Sequence, residues 1–98
     1  MVYVFMADGC EEIEAIAPVD MLRRGGVEVT TVGVTGKTVT GSHNISVNTD
    51  ISLEEVNLSD IEAVVLPGGM PGTLNLEKNE KVQDIVEYAY DKKLLICA

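Results

Sequence analysis

The sequence holds no tryptophan, one phenylalanine, one histidine and two cysteines in 98 residues. Cations are also scarce: 7 Lys and Arg stand against 16 Asp and Glu, for a net charge of −9. Nucleic-acid binding demands a basic footprint, so this balance argues against DNA or RNA as partners. It argues equally against an anionic membrane surface. No run of 18 apolar residues occurs, so no membrane helix is expected. The first residues, Met1 to Asp8, lack a basic stretch and soon turn acidic, which suits a first strand and not a signal peptide. Cys10 and Cys97 have no short spacing, so neither a zinc site nor a disulfide framework is indicated, and reduced cytoplasmic thiols are expected. There is no G-x-G-x-x-G and no Gly-Lys-Ser/Thr phosphate loop. Internal repeats, low-complexity tracts and linkers are absent too.

What remains is a chain with 46% apolar residues, enough for a modest core in one domain or part of one. Val2 to Met6 is a short apolar run that suits a strand buried on both faces. Glu11-Glu12-Ile13-Glu14 puts acids where a helix dipole favours them, and Gly25-Gly26 stops the helix after Arg23-Arg24. Pro18 lacks the N–H that would bond the Glu14 carbonyl, so this helix should begin late or kink near Glu14. Val27 to Val34 reads as a second strand. Lys37 to Asp50 reads as a hairpin around Gly41-Ser42-His43-Asn44. Ser52-Leu53-Glu54-Glu55 matches a capping box. Ile61 to Leu66 is a further buried strand, closed by Pro67-Gly68-Gly69. Val82, Ile85, Val86 and Ala89 mark an amphipathic helix with Asn79 as its cap. Leu94 to Cys97 is a final strand. Strands alternating with helices imply a mainly parallel α/β sheet. The final strand should be buried, yet no helix follows to cover it. The expectation is the N-terminal part of a single domain, residues 1–98, truncated after that strand.

Cys97 ends a strand, where open α/β sheets bind ligands. By position alone it reads either as a structural cysteine or as a thiol activated by a following helix. Glu14 falls at the same carboxyl edge, as either a surface acid or a reacting one. The glycines of Pro67-Gly68-Gly69-Met70-Pro71-Gly72 permit backbone N–H groups to face a ligand, or make a plain turn. Cys10 reads as an ordinary loop cysteine and His43 as a solvated residue of the hairpin tip.

Together, Ala7-Asp8-Gly9-Cys10-Glu11-Glu12-Ile13-Glu14, Pro18-Val19-Asp20 and Arg23-Arg24-Gly25-Gly26 resemble the opening of the ThiJ/PfpI superfamily. Val64 to Gly69 and Leu95-Ile96-Cys97-Ala98 continue the resemblance, in order, along the whole chain. It is closest to the deglycase branch of that superfamily. The resemblance implies a flavodoxin-like three-layer sandwich, a homodimer, and no cofactor or metal. It makes Cys97 the nucleophile on a strand-to-helix elbow and Glu14 the acid beside the sulfur, the two sharing one proton. Gly68, Gly69 and Ala98 become backbone donors to the reacting oxygen. Two departures stand out. The family's active-site histidine normally follows the nucleophile, and no residue of this chain lies there. The only histidine, His43, sits in the hairpin that in relatives lies near the dimer contact. Residue 98 is Ala, where the intracellular-protease branch resembles Cys-His.

The resemblance implies a glyoxalase III or deglycase enzyme acting on small reactive aldehydes such as methylglyoxal. Competing expectations are a redox sensor or chaperone with an oxidisable Cys97, a thiazole-phosphate biosynthesis role, an intracellular peptidase, and a half-domain with no activity of its own. The partners implied are an aldehyde, the C-terminal half of the same domain and a second copy of the chain.

Overall fold

The computed structural model describes residues 1–98. The elements, in order, are β1 (Val2–Met6), α1 (Glu12–Arg24), β2 (Val29–Gly33), β3 (Thr38–Thr40), β4 (Ser46–Asn48), β5 (Ile51–Ser52), β6 (Ala63–Val65), α2 (Gly72–Glu77), α3 (Glu80–Asp91) and β7 (Leu95–Cys97). Two single 3-10 turns, Leu53–Glu55 and Leu58–Asp60, link β5 to β6. β5-β2-β1-β6-β7 form one sheet, and every pairing in it is parallel. The antiparallel β3–β4 hairpin stands apart, with Val39 opposite Val47. The arrangement is the α/β flavodoxin-like sandwich anticipated from the sequence.

Alternation along β1 creates the layers. Successive side chains of a strand point to opposite faces. Tyr3, Phe5 and Ala7 therefore pack with Val64, Leu76, Val82, Ile85 and Ala89 on the α2–α3 side. Val4 and Met6 pack with Cys10, Ala15, Val19 and Val39 on the side of α1 and the hairpin. Val4 and Phe5 are both fully buried, as a central parallel strand requires. β7 is different: it is an outer strand, and Leu95 is 64% exposed.

Two local readings need correction. Of the two outcomes Pro18 predicts for α1, a late start or a kink near Glu14, the late start does not occur: the helix starts at Glu12 and runs through Pro18. The proline forfeits only the bond to the Glu14 carbonyl in the first turn, and that turn is fixed by other means. Glu11 caps it, accepting the N–H groups of Ile13 and Glu14 at 3.2 Å each. The short helix α2 is not among the expected elements, which pass from the turn ending at Gly72 to the helix capped by Asn79. Its first residues, Gly72 and Thr73, are poor helix formers. Burial of Leu76 against the α3 side of the sheet decides the matter. At α3 the expectation holds: Asn79 Oδ1 accepts the Val82 N–H at 3.1 Å.

Asp50 ties three elements together. Its carboxylate accepts the Thr31 N–H of β2 at 2.9 Å and Arg23 of α1 at 2.7 Å, while its own N–H donates to Thr31 Oγ1 at 2.8 Å. Burial pushes this carboxyl up, but the Thr31 hydrogen bonds and the Arg23 guanidinium outweigh it and hold it below the usual range. A depressed carboxyl contributes stability above its unfolded pKa of about 3.9 and loses it as pH falls through the lower folded value. Asp50→Ala should therefore be less stable at pH 7 by about 1 kcal/mol, a small figure because a half-exposed side chain is screened by solvent. Urea unfolding at several pH values checks this: the gap from the unsubstituted protein should close below about pH 3.9.

Candidate active site

The strand order reverses at β1. From β1 the chain moves to β2 on one side, and later to β6 and β7 on the other. In an open α/β sheet a ligand crevice lies outside the carboxyl ends of the strands at such a reversal. Here that crevice is bounded by the start of α1, the loop after β6 and the end of β7.

The loop after β6 and the start of α1 hold one another. The Glu11 N–H donates to the Gly68 carbonyl at 2.9 Å. The Gly68 N–H donates in return to Glu14 Oε1 at 3.1 Å. Gly68 was read as a donor to the reacting oxygen, but in this structure its N–H orients the acid. Absence of a side chain is needed for this approach, since a Cβ on Gly68 would stand 2.6 Å from Glu14 Oε1. Gly69 has φ +97°, a left-handed conformation that favours glycine, and a Cβ there would stand 2.9 Å from the Cys10 carbonyl carbon. The loops after β1 and β6 therefore touch directly, which no bulkier residue at 69 would allow.

Cys97 is fixed by the ladder of the sheet. It pairs with Val65, and its carbonyl accepts the Leu66 N–H at 2.7 Å. Its thiol is exposed. Glu14 and Cys97 line the same cavity of about 400 Å³, together with Ile13, Ala17, Pro18, Val65, Leu66, Pro67 and Ala98. Its wall is mostly apolar, with one carboxylate and one thiol, a composition that suits a small ligand. Leu66, Pro67 and Ala98 also border a second cavity of about 410 Å³, which reaches Gly68, Thr73 and Gln83. Ala98 thus stands between the two.

His43 departs from its expected role as a solvated tip. Its ring is exposed, but Nδ1 lies 2.9 Å from Glu12 Oε1, and its backbone N–H donates to Glu12 Oε2 at 2.8 Å. The Ile45 N–H adds a third bond to Glu12 at 3.3 Å. Glu12 is a latch between α1 and the hairpin, and the sequence reading passed it over. Three acids crowd the cap and first turn of α1, and their spacing does not reveal which one turns inward. The acids and the hairpin are each legible in the sequence; the contact that packs one against the other is not. Burial pushes the Glu12 carboxyl up, but the hydrogen bonds from His43 and Ile45 prevail and hold it at about 2. The hydrogen bond and charge of Glu12 push His43 up in turn. Glu11, Glu12 and His43 bring one potential ligand atom each within 4.8 Å of one another, the group best composed to hold a metal ion. Every one of those atoms already serves a hydrogen bond or ion pair within the latch and the α1 cap.

Cys10 is the opposite of Cys97. It is 1% exposed within the core on the α1 side. Burial first, and then the Glu12 charge, push its thiol up. A raised, buried thiol is a poor nucleophile.

The DJ-1/PfpI family model matches residues 1–98. The chain belongs to the DJ-1/PfpI family. It is 37% identical over 97 residues to the Parkinson disease protein 7 homolog of Danio rerio, covering 97% of this chain and 51% of that protein. It is 36% identical over 92 residues to a deglycase of Pyrococcus abyssi, covering 93% of this chain and 54% of that one. Among solved structures, a cysteine-to-alanine mutant of a DJ-1 superfamily protein from Salmonella typhimurium superposes with a TM-score of 0.92 at 38% identity. That match covers 98% of this chain and 52% of the other. The chain spans about half the length of the relatives it matches. No helix is long and apolar enough to cross a membrane.

The latch has a defined pH window. A raised histidine contributes stability below its unfolded pKa of about 6.5 and loses it as pH rises through the higher folded value. A depressed Glu12 contributes above about 4.3 and loses its share as pH falls toward its folded value. The latch should be strongest between those limits. Titration of the His43 ring by NMR should give a midpoint above the usual value of about 6.5, and Glu12→Gln should bring it back down. An unchanged midpoint in Glu12→Gln would show that the latch does not form.

Proposed function

We propose that this chain carries the nucleophile and the acid of a cytoplasmic, cofactor-independent enzyme of the glyoxalase III or deglycase type, acting on small 2-oxoaldehydes. The observation that carries the reading is that Glu14 and Cys97 line one small cavity at the strand-order reversal. Membership of a family with deglycase-named members supports it. The Cys97 thiolate adds to the aldehyde carbon and forms a C–S bond, and the carbonyl oxygen takes up a proton. Glu14 then removes the hydrogen of that carbon as a proton and returns it to the neighbouring carbon. The resulting thioester of a hydroxy acid is cleaved by water, which frees the acid and the thiol. No electrons enter or leave, so no redox cofactor is needed. Gly69 and Ala98 are the proposed donors to the oxygen that gains charge.

The chain is the proposed N-terminal part of a single domain. Its C-terminal half would cover the exposed Leu95 on β7 and supply the helix after Ala98. In the proposed homodimer, Ile13 and Met21 on α1, 72% and 71% exposed, would be buried with Ile45 of the hairpin, beside His43. A second reading, redox sensing through oxidation of Cys97, is favoured by the contrast between the exposed Cys97 and the buried Cys10.

In the intact protein, Cys97→Ser should abolish lactate formation from methylglyoxal, because a hydroxyl is a far poorer nucleophile than a thiolate near neutral pH. Glu14→Gln keeps the shape but cannot carry a proton. It should cut turnover roughly 10²–10⁴-fold while Cys97 still reacts with iodoacetamide. Near-normal lactate production in Glu14→Gln would exclude Glu14 as the proton carrier. Peroxide should oxidise Cys97 before Cys10; the redox reading gains only if the unsubstituted protein also fails to turn over methylglyoxal.

A further inference from the structure

Three hydrogen bonds close a ring around the candidate acid. The Glu11 carboxylate accepts the Glu14 N–H at 3.2 Å. The Glu14 carboxylate accepts the Gly68 N–H at 3.1 Å. The Gly68 carbonyl accepts the Glu11 N–H at 2.9 Å. Each residue of the ring holds the next, and the ring joins the first turn of α1 to the loop after β6. Glu11 enters it twice, through its backbone and through its side chain. The side chain is 23% exposed, and its other oxygen accepts the Ile13 N–H at 3.2 Å. His43 Nδ1 lies 3.7 Å from that same oxygen. Glu11 does not line the cavity that Glu14 shares with Cys97.

We propose that Glu11 is a positioning residue: its carboxylate fixes the Glu14 backbone so that the Glu14 side chain, held from beyond by Gly68, faces Cys97. This rests on the pairing of Glu14 with Cys97 in the proposed reaction. The physical reason is that Glu14 makes one bond to the protein through its carboxylate and needs its other oxygen for the substrate. A single anchor leaves the carboxylate free to swing about its own side-chain torsions unless the backbone behind it is fixed. Pro18 has already removed the bond that the Glu14 carbonyl would have had within the helix. The Glu11 carboxylate compensates at the other end of the same residue, on its N–H. An ordinary N-cap role would explain the two accepted N–H groups. It would not explain why the backbone of the capping residue is bonded to the loop that holds the acid.

Positioning and plain capping make different predictions. Glycine is tolerated at N-caps with little loss of stability, and alanine is not. Both lack the carboxylate. In the intact protein, Glu11→Gly and Glu11→Ala should both lower kcat for methylglyoxal by roughly tenfold to a hundredfold, as a displaced catalytic group does. KM should stay nearly unchanged, since Glu11 does not touch the substrate. Glu11→Asp, which can still accept the Glu14 N–H, should recover most of kcat. Thermal unfolding of each variant separates the two roles. Wild-type kcat per folded molecule in Glu11→Gly overturns the proposal, as does activity that merely follows the stability order of Gly over Ala. If Glu11→Ala fails to fold, the Gly and Asp pair decides alone. Full turnover in Glu14→Gln would instead reject the pairing on which the proposal rests, whatever the Glu11 variants do.

Discussion

A hydrogen bond from the Gly68 N–H to the Glu14 carboxylate joins the first helix to the loop after β6, and the placement of the candidate acid depends on it. The two partners are 54 residues apart in the chain. They meet because β1 and β6 are neighbours in the sheet, paired from Val2 with Ala63 to Val4 with Val65. Elements that leave adjacent parallel strands emerge at the same edge. Glycine at 68 lets the carboxylate approach the backbone closely, and glycine at 69 turns the loop back against the segment after β1. Cys97 reaches this place by a separate route, one strand further out, through its pairing with Val65. The fold brings an acid, a bare backbone and a thiol to one edge without any of them being close in sequence.

The same edge sorts similar residues into different roles by what surrounds them. Glu11, Glu12 and Glu14 lie within four positions of the chain, yet Glu11 caps the helix, Glu12 latches the hairpin and Glu14 faces the cavity. The two thiols are sorted the same way. Cys10 is sealed beneath the hairpin, with its carbonyl accepting the Ser42 N–H at 2.8 Å, while Cys97 is open. Burial and the neighbouring Glu12 charge oppose ionisation of Cys10. Cys97 is exposed and lines a mostly apolar cavity.

Much of the architecture was legible in the sequence because it is driven by local signals. The apolar run at β1, the acids and glycines around α1, and the spacing of Val82, Ile85 and Ala89 each announce one element. The hairpin around His43 was read from its turn residues. What escaped was set by contacts between distant segments. The helix at Gly72–Glu77 carries weak local propensity and is held by the packing of Leu76 into the core. Pro18 predicts a late start of α1 or a kink near Glu14; the helix starts at Glu12, where the Glu11 cap and the bond to Gly68 offset one lost hydrogen bond. Cys97 and Glu14 were singled out by family resemblance more than by local pattern, since either residue alone reads equally well as structural. Glu12 stayed hidden because its partner, His43, is 31 residues away.

The central claim is that Glu14 and Cys97 act in succession on one bound aldehyde. Occupation of the thiol by the aldehyde tests it most directly. Glu14→Gln in the intact protein should still add the aldehyde at Cys97 but should not carry it forward. Methylglyoxal should then slow iodoacetamide labelling of Cys97 in Glu14→Gln, reversibly on dilution and without lactate formation, because the hemithioacetal occupies the sulfur. Labelling of Cys97 at the same rate with and without methylglyoxal would contradict the account.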